Sequence, residues 1–194
     1  MVLEVRSRPL LKSGQDPDGY FKDAMSSSSR KKLRQMRSKL SREGEVTSEI
    51  VTDPEAVSRA LEEFLGLEAS GWKKENGTAL LCDDQDTRFF RVGFTALAEA
   101  GRARIYSLRL DGRPVAMQIV ALAGSAASTW KTAYDEAFAT FSPGSLLFVD
   151  YTTDFLEDEG IDMVDSCAED DSGYMATWTG RKRVCDLRIT AACG

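Results

Sequence analysis

Apolar positions recur along the chain at two different periods, and the change between them organises it. Leu33, Met36 and Leu40 fall on one helical stripe within a basic segment, residues 30–43. Glu45–Val51 alternates and reads as a short strand. Asp53-Pro54 is a helix start, followed by Val57, Ala60, Leu61, Phe64 and Leu65 at i, i+3, i+4 spacing. Asp84–Ala100 repeats that period through Phe90, Phe94, Leu97 and Ala98, and Gly101 is placed to end it. Beyond Gly101 three strands are predicted, at Arg104–Leu110, Pro114–Ala123 and Ala127–Tyr134. Asp111-Gly112 and Gly124-Ser125 supply the turns between them. A helix over Ser145–Glu159, a strand at Ile161–Asp165, a loop or short helix over 169–178 and a strand at Val184–Thr190 complete the order. Before all this, Gly14, Pro17 and Gly19 break any period in residues 1–24, so 1–29 reads as an irregular extension to a single domain at 30–194.

Such an order predicts an α/β (mixed α+β) chain with a mixed, mostly antiparallel central sheet flanked by helices. It alternates too irregularly for a doubly wound parallel sheet. A chain of 194 residues can bury a real core, and 42% hydrophobic with 29% charged residues is ordinary for a globular protein. The net charge of −6 offers no general attraction to nucleic acid or an anionic membrane. It is unevenly spread: Arg30, Lys31, Lys32, Arg34, Arg37, Lys39 and Arg42 crowd a stretch without a single acid. That helix could contact RNA or a phosphorylated substrate, dock a partner, or simply stand solvated on its apolar stripe.

Absent residues narrow the chemistry. There is no histidine, so a Ser–His or Cys–His relay is excluded. Cys82, Cys167, Cys185 and Cys193 form no CxxC pair, and a zinc site would need thiolates or carboxylates alone, so no metal site is expected. The charged N-terminus does not read as a signal peptide, and no segment is apolar enough for a membrane span; the cytoplasm is the default expectation.

The stretch Thr129–Leu147 holds the most suggestive residues. It reads as a strand end, the acidic pair Asp135-Glu136, a loop, and a helix start at Ser142-Pro143-Gly144-Ser145. Ser142 can cap that helix and Pro143 suits its first position. The uncrowded amides that follow could seat an anion, or form an N-cap without ligand. Lys131 alternates with Trp130 and is expected on the opposite side of the sheet, where it meets a phosphate or an acidic substrate, or is solvated. Asp165-Ser166-Cys167 closes a strand, and Cys167 lacks a histidine to activate it. Trp72, Lys73 and Lys74 either line an acceptor cleft or pack and solvate.

Four motifs occur in one order: FLGLEASGWKKENGTAL (64–80), LRLDGRPVAMQI (108–119), KTAYDEAFATFSPGSLL (131–147) and DSCA (165–168). Together they resemble the acetyltransferase domain of the CelD-like, cellulose-biosynthesis-associated GNAT proteins, related to the FemABX peptidyltransferases. The resemblance spans about residues 30–190. It implies a GNAT fold and direct acyl transfer from acetyl-CoA or another acyl-CoA to a small-molecule amine or similar acceptor. The strand Trp130–Tyr134, with Lys131, then corresponds to the edge that holds pantetheine, and Ser142, Gly144 and Ser145 to the pyrophosphate seat. Asp135 and Glu136 are the carboxylates nearest the thioester, as candidate bases. Tyr134 and Tyr174 are candidate proton donors, a phenol near pKa 10 being suited to a leaving thiolate. The resemblance further implies a separate or missing N-terminal GNAT-like half. Two alternatives stand beside it: a FemABX-like transferase using charged tRNA, and a non-catalytic GNAT-like module in exopolysaccharide biosynthesis. Relatives carry a histidine after the DSCA motif, where this chain reads EDDSGYMATW (169–178).

Overall fold

The computed structural model describes residues 2–71, 77–168 and 173–188. Seven strands form one sheet: β1 (Val2–Lys12), β2 (Val46–Val51), β3 (Ala103–Leu110), β4 (Arg113–Ala123), β5 (Ala126–Tyr134), β6 (Met163–Asp165) and β7 (Gly180–Leu187). Their spatial order is β2-β3-β4-β5-β6-β1-β7. β5 and β6 run parallel, and the remaining pairs are antiparallel. The helices are α1 (Pro17–Ala24), α2 (Ser27–Leu40), α3 (Pro54–Glu68), α4 (Asp84–Glu99) and α5 (Pro143–Glu157). The mixed α/β sheet expected from the periodicity is therefore the fold observed.

Local chemistry explains most element ends. Asp16, Ser26, Asp53 and Asp83 each accept a backbone N–H of the helix they precede. Gly101, at φ 68°, closes α4, with the Arg102 amide reaching back to the Leu97 carbonyl at 2.7 Å. Asp111 (φ 50°) and Gly112 (φ 79°) both turn left-handed between β3 and β4, as a tight hairpin requires.

Two apolar layers sandwich the sheet. Val57, Leu61, Phe64 and Leu65 of α3 meet Phe90 and Phe94 of α4 over Ile105, Met117 and Ile119 on one face. On the other, α5 supplies Leu146, Leu147, Phe148, Tyr151 and Phe155 against Tyr106, Leu108, Ala116 and Val120, and Trp178 joins them. The buried Trp178 indole donates to Thr152 Oγ1 at 3.0 Å, which satisfies its one polar group.

The N-terminal expectation is corrected. Residues 2–29, expected within an irregular extension, are ordered elements: β1 lies within the sheet between β6 and β7, and α1 buries Tyr20 and Phe21. Gly14 and Pro17, read as breakers, separate one element from the next and interrupt neither. The last strand begins at Gly180, earlier than expected, because it pairs with β1 from Leu10 outward. β6 starts at Met163 and holds three residues, and within the loop or short helix expected over 169–178 a 3-10 turn forms at Gly173–Thr177.

Candidate active site

β5 and β6 pair through Ala126–Ser128 and Met163–Asp165, and then part. β6 stops because Cys167 turns left-handed (φ 51°) and takes the chain away. The Thr129 hydroxyl bridges the opening to the Ser166 and Asp165 carbonyls, at 2.9 and 3.3 Å. From there to Tyr134, β5 stays paired with β4 on one side and has no strand on the other among the described residues. An open edge of this kind presents backbone donors and acceptors to an extended ligand.

A cavity of about 370 Å³ lies where the strands part. Thr132 and Tyr134 of β5, Glu68 and Gly71 at the end of α3, Glu136, the start of α5 (Ser142–Ser145) and Tyr174 are in its wall. The Tyr134 ring comes within 3.9 Å of where a Gly144 Cβ would stand, so it packs on the first turn of α5. Tyr174 packs against Phe148 with the rings tilted, centres 4.8 Å apart. Burial pushes the Tyr174 phenol above its usual range, Thr132 pulls it down by hydrogen bonding, and Tyr134 adds to the rise. Tyr174 thus keeps its proton throughout the neutral range.

The acidic pair separates into two roles. Asp135 is buried, accepts the Ala137 amide at 3.0 Å and pairs with Arg113 at 2.5 Å. It caps the 3-10 turn Glu136–Phe141 and is absent from the cavity wall. Glu136 is exposed and reaches so close to Gly71 that a Cβ there would stand 2.8 Å from its Oε1. Gly71 must therefore remain without a side chain for Glu136 to sit where it does.

Two expectations about side-chain direction change. Ile119 faces Lys131 and Val120 faces Thr129, so Trp130 is an extra residue in β5. A bulge breaks the alternation. Trp130 and Lys131 accordingly both turn to the α3–α4 layer and neither lines the cavity. Trp130 stacks on Phe90 and Phe94, at 5.5 and 5.2 Å, and the Lys131 ammonium sits 2.8 Å from Glu68 Oε1. Ser142 precedes α5 but does not cap it with its side chain; it is itself left-handed, at φ 52°. Its carbonyl instead accepts the Ser145 and Leu146 amides at 3.0 and 3.1 Å. The Gly144 amide precedes those bonds, as the first N–H after Pro143.

Glu68 is the site residue that sequence reading missed. Its side chain is fully buried; Oε2 accepts the Leu80 amide at 3.0 Å while Oε1 meets Lys131. The signal was present: position 68 continues the apolar stripe of α3, four residues after Phe64. A carboxylate there must have a buried partner. Elsewhere, Asp165 is held by Lys182 at 2.7 Å and the Cys167 amide at 2.9 Å, away from the cavity. Burial raises the Cys167 thiol pKa, which suits a packed residue better than a nucleophile. Trp72, Lys73, Lys74 and Cys193 lie outside the described residues, as does 169–172 of the EDDSGYMATW segment.

Comparison with known proteins agrees with this geometry. A model of the acetyltransferase (GNAT) domain matches residues 27–174. Among solved structures, FemX aligns at TM-score 0.61 and 14% identity, over 92% of this chain and 59% of its own. A conserved protein of unknown function from Bacteroides thetaiotaomicron VPI-5482 aligns at TM-score 0.57 and 12% identity, over 95% of this chain and 61% of its own. The chain thus spans about three-fifths of the length of these structures, and at such identity the likeness is one of fold. No curated protein matches.

Proposed function

The chain belongs to the acetyltransferase (GNAT) domain family, and from that premise we propose that it moves an acyl group, acetyl first, from acyl-CoA to the amine of a small acceptor. The observation that carries the reading is the open edge of β5 facing the first turn of α5 across one cavity. Pantetheine is an extended chain with two amides, and the backbone of Thr129–Tyr134 pairs with it as a missing strand would. The pyrophosphate then lies at the start of α5, where the Gly144 amide and the Ser142 and Ser145 hydroxyls surround it.

Transfer is direct. The acceptor ammonium gives a proton to Glu136, at the cavity wall or through a water, and the freed lone pair attacks the thioester carbon. The C–N bond forms, the C–S bond breaks, the CoA thiolate takes a proton from Tyr134 or Tyr174, and the extra proton on the new amide nitrogen returns to that tyrosinate. The products are the amide and free CoA. Asp135 positions the turn that carries Glu136 and touches neither reactant.

The test is calorimetric titration with acetyl-CoA on the wild type and on Gly144→Glu. The glycine has room for a side chain, and an acid in the first turn of a helix favours that helix, so the variant should fold. Its carboxylate would stand where the phosphates lie. We expect micromolar binding in the wild type and at least a hundredfold loss in Gly144→Glu; equal binding by both proteins would remove the pyrophosphate assignment.

One observation favours a second reading. Lys31, Arg34 and Lys39 of α2 and Arg42 just beyond it share an exposed side, and none has an ion pair among the described residues. A charged tRNA as donor would use that stripe. Its binding would weaken steeply with salt and be reduced by reversing those four charges. Saturable acetyl-CoA binding with no RNA binding would decide for acyl-CoA.

A further inference from the structure

α4 presents an apolar stripe on the side where a surface helix ordinarily carries charge. Phe89, Val92, Ala96 and the C-cap Ala100 follow one another along its exposed side at steps of three and four. Phe89 and Val92, at 69% and 61% exposure, are the most exposed large apolar residues among those described. Gly93 lies beside them at mid-helix. A Cβ there would meet nothing within 4 Å, so packing within the chain does not require a glycine, although glycine weakens a helix interior. Arg88 and Glu99 stand along one border of the stripe. Both are exposed, and neither side chain has an ion pair or hydrogen bond among the described residues.

These features run in a direction. The ring and the cation stand toward the start of α4, the small residues and the acid toward its end. Arg88 and Glu99 are separated by about three turns and so share one border. Phe89, Ala96 and Ala100, about two and three turns apart, share the other. A second copy of the helix, reversed by a twofold axis beside Gly93, brings like borders together. Phe89 then enters the gap between Ala96 and Ala100 of the second copy, Arg88 meets its Glu99, and each contact occurs twice. The glycines let the two backbones approach at the axis. We propose that the chain self-associates through α4 in this antiparallel pair. Arg88 and Glu99 leave the border without net charge and complementary to itself, which fits a second copy better than an anionic surface or a strongly charged partner. One helix buries less than a standard interface, so the dissociation constant is on the order of 100 µM. α4 lends no residue to the cavity of the candidate site, which stays open in both copies.

Sedimentation equilibrium of the free protein, at concentrations up to about 1 mM, tests the pair without any acyl donor. The wild type should pass from monomer to dimer across that range. Phe89→Glu, at an exposed position, should stay monomeric throughout. Arg88→Glu and Glu99→Arg should each weaken association roughly tenfold, because each sets like charges against one another twice. Both reversals are at exposed positions and neither opposes the helix dipole, so α4 should keep its structure. Combined in one chain, they should restore association to within about twofold of the wild type. A wild type that remains monomeric at about 1 mM would overturn the pair and leave the face to a different partner. Association that survives Phe89→Glu would place the contact on another face. Single reversals that weaken association without rescue in the double variant would overturn the antiparallel register.

Discussion

The two sides of the sheet are built differently. β2 to β5 form an antiparallel run in sequence order, β2 and β3 linked through α3 and α4 and the other two pairs by hairpins, with six to eight residue pairs in each ladder. β6, β1 and β7 are gathered from opposite ends of the chain; Arg6 and Asp186, joined at 3.1 Å, are 180 positions apart. The seam between the two sides is three residue pairs long. The candidate site lies where that seam opens. A sheet that pairs fully has no free edge to offer a ligand, so the weak joint is also the place where a substrate can add its own backbone-like groups.

Variants that weaken one side at a time sharpen this contrast. Glu68→Ala should have the largest effect on stability, about 3 kcal/mol, because it leaves Lys131 and the Leu80 amide without their buried carboxylate. Urea unfolding measures it, and acetyl-CoA affinity should fall with it since Lys131 belongs to β5. A loss below about 0.5 kcal/mol would show that the pair contributes nothing net. Gly180→Ala should cost about 2 kcal/mol, because its Cβ would stand 2.5 Å from the Leu10 carbonyl oxygen and push β7 from β1. Here acetyl-CoA affinity should hold at temperatures where the variant is folded. If affinity fell instead, the two sides would not be independent.

Lys182→Met should have the smallest effect, roughly 0.5–1 kcal/mol at neutral pH, since Lys182 is half exposed. Burial pushes the Asp165 carboxyl up, but Lys182 and the Cys167 amide outweigh it and hold the pKa below the ordinary value. A depressed carboxylate stabilises the fold above its unfolded pKa, and the contribution disappears as pH falls through the folded value. The gap between wild type and Lys182→Met should accordingly narrow below about pH 4. A gap that stays constant to low pH would assign the loss to packing.

The same contrast explains what could be read from the sequence. The hairpin side was legible because its signals are local: Asp111-Gly112 at a turn, alternation on both flanks, and Asp53 and Asp83 ahead of their helices. β1 was not, because Arg6, Arg8 and Pro9 obscure its pattern and its partner β7 lies at the far end of the chain. Within the site, the stretch from Tyr134 to Ser145 was recognisable as a strand, turn and helix start, and Tyr134, Glu136, Gly144 and Tyr174 do share one cavity. The directions of Trp130 and Lys131 were not, since one inserted residue reverses the alternation and nothing in the sequence marks it. Ser142 looked like a side-chain cap but serves through its backbone. Glu68 could have been found, as a charge on the buried face of an apolar helix.

The most direct measurement of the central claim is amide hydrogen exchange with and without saturating acetyl-CoA. If the donor completes the sheet at the seam, amides of residues 129–134 that face away from β4 should exchange quickly in the free protein and slow by at least tenfold when it binds. The Gly144 amide should slow with them, while β2, β3 and β7 stay unchanged. Saturable binding with no added protection in 129–134 would contradict the account, because the donor would then lie somewhere other than the open edge.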